Sequence, residues 1–284
     1  MQKLGVIGQG FVGSAVANGM SHCYEMITYD KDPNKTCTEK SLYEVIEKTD
    51  IVFLCVPTPM YKNGGCDLTI VDRAMKEIVA ACDALNKHIT VILKSTVPPG
   101  TTAALNDIFN HRVNVVFNPE FLTEANANDD YKNQNRIIVG GDRPYTSQVK
   151  QIFAKAFPKV PIIKTSSTIA EMVKYVTNTF LAMKVSFANE MHQISQALDI
   201  DYDKVIEYAR YDDRLGQSHW SVPGPDGDKG FGGHCFPKDV AALTYLAVTL
   251  GIEPTMLTGT AIKNEEVRTD RDWLNQVGRA VSEE

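Results

Sequence analysis

The strongest constraint on the fold stands at the start of the chain. The apolar run Lys3–Ile7 passes directly into Gly8-Gln9-Gly10-Phe11-Val12-Gly13, and then into SAVANGM at helical spacing. Strand, glycine turn and helix in that order build a phosphate cradle. The first glycine permits the sharp turn, the second lets a pyrophosphate approach the backbone, and the third lets helix and strand pack closely. The free N–H groups of the helix start then face the phosphates. A second strand-like run, Glu25–Tyr29, ends in Asp30. A carboxylate about 20 residues beyond the glycines suits a ribose 2′-hydroxyl and repels a 2′-phosphate. Even with Lys31 adjacent, these residues favour NAD over NADP.

The alternation continues along the first half. A polar helix is expected near 39–48, then the almost wholly apolar run Asp50–Val56, as in a parallel strand buried on both faces. Asp67 is read as the N-cap of a helix reaching about 82. Further strands follow at 89–96, 113–118 and 136–141, with a helix near 101–109 between the first two. This pattern predicts an α/β, Rossmann-like, doubly wound parallel sheet over residues 1–165. Ligands of such sheets lie beyond the carboxyl ends of the strands. Those ends carry Gly8–Gly13, Pro57-Thr58-Pro59, Lys94-Ser95-Thr96 and Asn118-Pro119-Glu120, so four loops are expected to converge on one crevice.

From Ser166 the periodicity becomes helical. Some thirty residues without Pro or Gly predict one long helix over 166–198, with Ser/Thr before Glu171 as cap candidates. Its apolar positions wrap widely enough for a second subunit to pack on it. Lys174 and Asn178, four apart, project from one face. A helix near 201–209 leads to the Gly- and Pro-rich stretch 216–233, long enough for an irregular loop to be functional. The run GFGGHCFPKD (230–239) closes it and places Cys235 just before a helix, where the helix dipole and Lys238 favour a thiolate. A helix begins at Val240, another runs from about Pro254 to Arg268, and the tail beyond Trp273 is expected to fray. Residues 166–284 are thus expected to form an all-helical second domain for dimerisation and catalysis.

Composition narrows the function. Net charge is −6 without a Lys/Arg block, which argues against a nucleic-acid surface. No secretory signal or membrane-length apolar run is evident, and a cytoplasmic location is expected. The six cysteines form no CxxC pair, fitting free thiols rather than disulfides or zinc. Cys55 and Cys82 read as small core residues, while Cys23, Cys37 and Cys66 lack the neighbours of a nucleophile. No metal site is expected: Cys235 and His234 find no further ligands.

Five stretches give the chain a family likeness: GVIGQGFVG, VFLCVPTPM, LKSTVPPGTT, NPEFLTEANA, and KYVTNTFLAMKVSFANE followed by GFGGHCFPKD. Over residues 1 to about 270 the sequence resembles the UDP-glucose/GDP-mannose dehydrogenase family. The resemblance implies oxidation of a nucleotide-sugar C6 alcohol to a carboxylate with reduction of two NAD. The FPKD ending looks most like the UDP-glucose branch, which makes UDP-glucuronate. It implies Cys235 as the nucleophile, forming a thiohemiacetal and then a thioester, with Lys174 and Asn178 as oxyanion donors. Thr96 and Asp239 would hold a water for the alcohol step, and Glu120 would serve as base for thioester hydrolysis; the division of roles between Glu120 and Glu124 stays open. His234 is read as non-catalytic. Cofactor contacts are expected from Gly8, Gly10, Phe11, Val12, Gly13, Asp30, Pro57, Thr58, Thr96 and Glu124. Substrate contacts are expected from Glu120, Phe121, Leu122, Lys174, Asn178, Phe231 and Gly232, with Arg214 reaching across a subunit interface. A homodimer through the 166–198 helix is implied.

The family normally continues into a C-terminal domain that grips the nucleotide sugar, and the expectation is a chain lacking it. Ala125 and the stretch SHWSVPGPDGDK also depart from the family pattern. Two other readings stay open: an NAD-binding subunit that needs a partner, and a two-electron β-hydroxyacid-type dehydrogenase, against which Cys235 argues.

Overall fold

The computed structural model describes residues 1–283; Glu284, the last residue of the expected second domain, lies outside the described residues. Two compact units form: Met1–Thr58 with Leu68–Lys174, and Pro59–Asp67 with Tyr175 onward.

In the first unit the elements alternate. They are β1 (Lys3–Ile7), α1 (Phe11–Met20), β2 (Glu25–Tyr29), α2 (Leu42–Lys48), β3 (Ile51–Leu54), α3 (Thr69–Leu85), β4 (Ile89–Leu93), α4 (Thr101–Phe109), β5 (Val113–Phe117), α5 (Ala127–Lys132), β6 (Ile137–Gly140), α6 (Tyr145–Ala156) and β7 (Ile162–Thr165). The strands join one sheet in the order β2-β1-β3-β4-β5-β6-β7. Every neighbouring pair is parallel except β5 and β6, which meet antiparallel at Phe117 and Gly140. This is the expected doubly wound, mostly parallel sheet. Strands β3, β4 and β5 are buried along their whole length, as helices on both faces demand. On one face Val45, Ile46, Met75, Ile78 and Phe109 pack together. On the other, Val16, Met20, Tyr131, Ile152 and Phe153 do so. Order reverses between β1 and β3, and that switch point is where open α/β sheets bind ligands.

The helical part opens with α7 (Ser167–Ala197), a single helix of 31 residues. There follow α8 (Tyr202–Ala209), a 3₁₀ turn at Asp213–Leu215, α9 (Cys235–Thr249), α10 (Thr255–Val267) and a second 3₁₀ turn at Asp272–Asn275. Among the described residues no helix is long and apolar enough to cross a membrane.

Three local expectations are corrected. Asp67 does not cap α3, whose N-cap position is Leu68 with no side-chain cap bond; the Asp67 carboxylate accepts instead from the Tyr61 hydroxyl at 2.9 Å and Ser282 Oγ at 2.7 Å. The tail beyond Trp273 does not fray. Trp273 and Ala280 are buried, and Met60 exchanges backbone hydrogen bonds with Ala280 and Ser282 at 2.9 and 2.8 Å. The helix expected from Val240 begins five residues earlier, so Cys235 is its first residue; Pro237 suits this first turn because no intrahelical N–H is needed there. The Ser/Thr cap expected before Glu171 is Ser166, whose Oγ accepts from Ile169 N.

Glu171 has a different task. Fully buried, its carboxylate accepts from Gly100 N at 2.6 Å and Thr102 N at 2.8 Å, closing the start of α4 where orphan N–H groups need partners. Glu171→Ala leaves both donors buried and unmet. We expect a loss of about 2–3 kcal/mol, read as a lowered melting temperature by calorimetry.

Candidate active site

Register sets the first half of the site. Tyr29 pairs with Ile7, Ile7 with Leu54, Leu54 with Leu93 and Leu93 with Phe117. The last residues of five adjacent strands therefore stand in one row, and the loops that follow them leave the sheet along one edge. Hydrogen bonds tie those loops together. Thr58 Oγ1 donates to the Thr96 carbonyl at 2.7 Å, and Ser95 Oγ to the Val56 carbonyl at 2.6 Å. Pro57, Thr58, Thr96 and Glu120 thus lie on the edge that carries the glycine turn, as the convergence of four loops requires.

The turn itself has the shape of a phosphate cradle. Gly8 holds a left-handed φ of 92°, and a Cβ there would stand 2.4 Å from the Cys55 carbonyl oxygen. A Cβ on Gly13 would lie 1.8 Å from the Gly8 oxygen, so helix and turn touch only because none is present. Gly10 differs: it occupies the N-cap position of α1, and no heavy atom lies within 4 Å of the place its Cβ would take. Phe11 and Val12 begin the helix behind it. Asp30, next after β2, accepts from Gln9 N at 2.5 Å and from Asp32 N at 2.8 Å. Its carboxylate is thereby fixed against the glycine turn and keeps lone pairs for a ribose hydroxyl. This set fits a dinucleotide.

Beyond β5, Glu120 is buried. Lys174 Nζ donates to Glu120 Oε1 at 2.8 Å and to the Glu120 carbonyl at 2.7 Å, and Leu122 N donates to Oε2 at 2.7 Å. Burial pushes the Glu120 carboxyl up, but the Lys174 charge and hydrogen bond, the Leu122 N–H and the Lys94 charge outweigh it and hold it below the usual carboxylate range. Phe121 lies beside Lys174 Nζ, 5.7 Å from its ring centroid, and under the Arg136 guanidinium at 4.1 Å. Glu124 stands exposed on the following bend.

Helix α7 carries Asn178 one turn after Lys174. In the second unit, Asn178 Nδ2 donates to Asp239 Oδ2 at 2.6 Å, and Lys238 Nζ donates to Oδ1 at 2.6 Å. Asp239 is almost wholly buried between them. Burial lowers the Lys238 ammonium, but the charges of Asp239, Cys235 and Cys66 raise it above its usual value. Cys235 stands at the head of α9 one turn before these groups and is partly exposed. By contrast burial pushes the Cys55 thiol up to about 12 and Cys82 to about 11; Cys82 lies in the core as expected, whereas Cys55 is partly buried against the core on the other face of the sheet. Arg214 stands apart, exposed on its 3₁₀ turn and paired with Asp212.

Residues not anticipated from the sequence shape the loop before Cys235. Asn264 of α10 accepts from Phe231 N at 2.7 Å and donates to the Phe231 carbonyl at 2.9 Å. Arg268, one turn on, is buried and pairs with Asp226 at 2.7 Å and Asp272 at 3.3 Å. Asp272 in turn accepts from Gly233 N at 2.9 Å. A Cβ on Gly230 would lie 2.3 Å from Asn264 Oδ1, and one on Gly232 would lie 2.2 Å from the Arg268 guanidinium. The glycines are therefore the counterpart of Asn264 and Arg268. Their i, i+4 spacing on a mainly polar helix was the available signal.

With this geometry in place, comparison with known proteins identifies the family of the chain. The NAD binding domain of the UDP-glucose/GDP-mannose dehydrogenase family matches residues 35–157, and the family's central domain matches residues 168–266. The chain belongs to this family and carries its NAD-binding domain; NAD is the cofactor. UDP-glucose 6-dehydrogenase TuaD of Bacillus subtilis is 31% identical, over 94% of this chain and 64% of its own length. GDP-mannose 6-dehydrogenase of Pseudomonas aeruginosa is 36% identical over 74% of this chain and 49% of its own length. A solved UDP-glucose dehydrogenase from Pyrobaculum islandicum superposes with a TM-score of 0.85 at 29% identity, covering 94% of this chain and 68% of that one. The chain thus spans roughly half to two thirds of these relatives.

The two glycines separate fold from binding. Gly10→Ala should leave the melting temperature within about 1 °C, since its Cβ meets no protein atom and such sites are near neutral. The methyl group would stand where the pyrophosphate approaches, so NAD affinity should fall at least tenfold by calorimetric titration. Gly13→Ala should instead lower the melting temperature by several degrees, because the Gly8 carbonyl must move.

Proposed function

We propose that this chain is an NAD-dependent nucleotide-sugar 6-dehydrogenase that oxidises UDP-glucose to UDP-glucuronate, with Cys235 as nucleophile. The observation that carries this reading is the pairing made by successive turns of α7: Lys174 engages Glu120, and Asn178 engages Asp239. Each of these two turns of α7 thus holds a buried carboxylate, and Cys235 heads α9 one turn before Asp239.

NAD supplies the two-electron acceptor for both oxidations. The roles of the chain's own residues then follow from their chemistry. Lys174 donates a hydrogen bond to the C6 oxygen as its proton leaves, stabilising the developing alkoxide, while a water held by Thr96 and Asp239 takes that proton. Cys235 Sγ bonds to the aldehyde carbon, and the carbonyl oxygen becomes the thiohemiacetal oxygen, to which Asn178 donates. A second oxidation leaves a thioester on Cys235. Glu120, held ionised, takes a proton from the water that attacks the thioester carbon; the C–S bond breaks and the carboxylate leaves. Covalent capture thus divides one difficult oxidation into easier steps.

The same reading gives the loop backbone at Phe231 and Gly232, with Phe121 and Leu122, to the sugar nucleotide. Glu124 and the glycine turn go to the cofactor side, and Arg214 to a contact supplied to the neighbouring subunit. A dimer is supported by an exposed apolar stripe on α7, formed by Ile169, Met172, Val176, Phe180, Phe187 and Ile194. An oxidoreductase of this kind, with free cysteines and a nucleotide sugar as substrate, is assigned to the cytoplasm.

The test is direct. With UDP-glucose the protein should form two NADH per sugar, measured by absorbance against product quantified by chromatography, and Cys235→Ser should lose at least a thousandfold in turnover. One NADH per substrate would point to the β-hydroxyacid-type alternative. Binding of NAD without turnover of any nucleotide sugar would sink the catalytic reading.

A further inference from the structure

Lys94 follows β4 directly and is 3% exposed. Its Nζ donates to Asn118 Oδ1 at 2.7 Å and to the Asn118 carbonyl at 3.3 Å, and it stands 5.9 Å from the centroid of the buried Tyr131 ring. Asn118 is fixed from its other side by donating Nδ2 to the Ile138 carbonyl at 2.7 Å. An ammonium is a costly donor to bury for the sake of one asparagine, because desolvating it costs several kcal/mol. What it contributes beyond a neutral donor is charge.

The charge bears on Glu120, two residues beyond Asn118. The ionisable groups facing Glu120 come from three elements: Lys174 on α7, Lys94 after β4, and the thiol of Cys55 after β3. Lys94 in turn faces Cys55, Glu120 and Lys174. Burial draws the Lys94 ammonium down to about 8, with Cys55 and Glu120 pulling it back up and Lys174 pushing it further down. Lys174 commits two of its three N–H bonds to Glu120. In the reaction proposed above it must also serve the sugar oxygen, and any shift that way loosens its hold. Burial would then drive Glu120 toward the neutral acid, which cannot take a proton from water.

We propose that Lys94 is a positioning residue for Glu120: it fixes the Asn118-Pro119-Glu120 loop and supplies the second positive charge that keeps Glu120 ionised while Lys174 is engaged with substrate. This rests on the role given to Glu120 above, so the test has one arm that needs no turnover. In protein labelled with ¹³Cε-lysine, the Lys94 resonance, assigned by its disappearance in Lys94→Arg, is titrated in wild type and in Glu120→Gln. Removing the carboxylate should lower the Lys94 pKa by about one unit; an unmoved titration overturns the proposal even if the enzyme turns over. The second arm is the pH dependence of kcat with UDP-glucose. In Lys94→Met the acid limb should move up by about one pH unit, because Glu120 protonates more readily, and Lys94→Arg should restore it. A Met variant with low kcat and an unmoved acid limb overturns the proposal, since a merely structural support would give that result. If Lys94→Met does not fold, the labelled-lysine arm still decides. If no nucleotide sugar is oxidised, a coupled titration retains the Lys94–Glu120 interaction while the reaction assignment alone fails.

Discussion

Everything polar in the first unit depends on the level at which five strands stop. Because Tyr29, Ile7, Leu54, Leu93 and Phe117 stand in one row, the glycine turn, Asp30, the Pro57–Thr58 segment, Lys94–Thr96 and Asn118–Glu120 leave the sheet along one edge. Parallel pairing makes this possible, since every crossover returns the chain to the opposite end before the next strand begins. A slip of one residue in any of these strands would send each side chain to the opposite face of the sheet, into the wrong one of the two cores. The same burial that stabilises β3, β4 and β5 therefore also fixes the placement of the site. Burial of the strand ends brings a second consequence: charged groups just beyond them, Lys94 and Glu120, are largely removed from water.

The second unit solves a different problem, which is how to hold an irregular loop that presents a thiol. Here α10 acts as the template. Asn264 binds both backbone groups of Phe231, and Arg268 with Asp272 secures Gly233. Such a template can work only on a loop without side chains at the points of contact, which accounts for Gly230 and Gly232 sterically. Asp228 strengthens the frame. Burial pushes its carboxyl up, yet the Asp270 N–H, the Thr269 hydroxyl and further backbone donors prevail and bring it down to about 2. The loop is thus tied at both ends to α10 and its extension, and the head of α9 follows from it.

Much of this was legible in the sequence, for reasons that can be named. The sheet was visible because fully buried parallel strands are written as apolar runs, and the 31-residue helix because nothing breaks it. The glycine turn and Asp30 were legible because backbone geometry at a phosphate site admits few residue types. Local signals failed where a distant partner decided. Asp67 looked like a helix cap because it precedes a helix, yet Tyr61 and Ser282 hold it. Glu171 carried no signal of its partner, the start of α4, which it closes. The tail beyond Trp273 carries no periodic pattern, and its order comes from pairing with Met60. Cys235 was placed just outside its helix, which was read from Val240, although a first turn accommodates Pro237.

The buried ion pairs are best understood by what they cost. Replacing a buried pair by apolar side chains is often neutral or stabilising, so stability alone gives no reason to keep Lys174 with Glu120 or Lys238 with Asp239. Neither pair is isolated. Glu120 also accepts from Leu122 N, and Asp239 also accepts from Asn178, so the lone pairs that desolvation exposes are met by donors. Satisfied in this way, each carboxylate is fixed in orientation. In the reaction proposed above, a substrate oxygen at Lys174 or Asn178 would compete for N–H groups that are already desolvated. On that reading the cost of dehydration is met during folding rather than during the reaction, which is the physical basis on which preorganised donors lower a barrier.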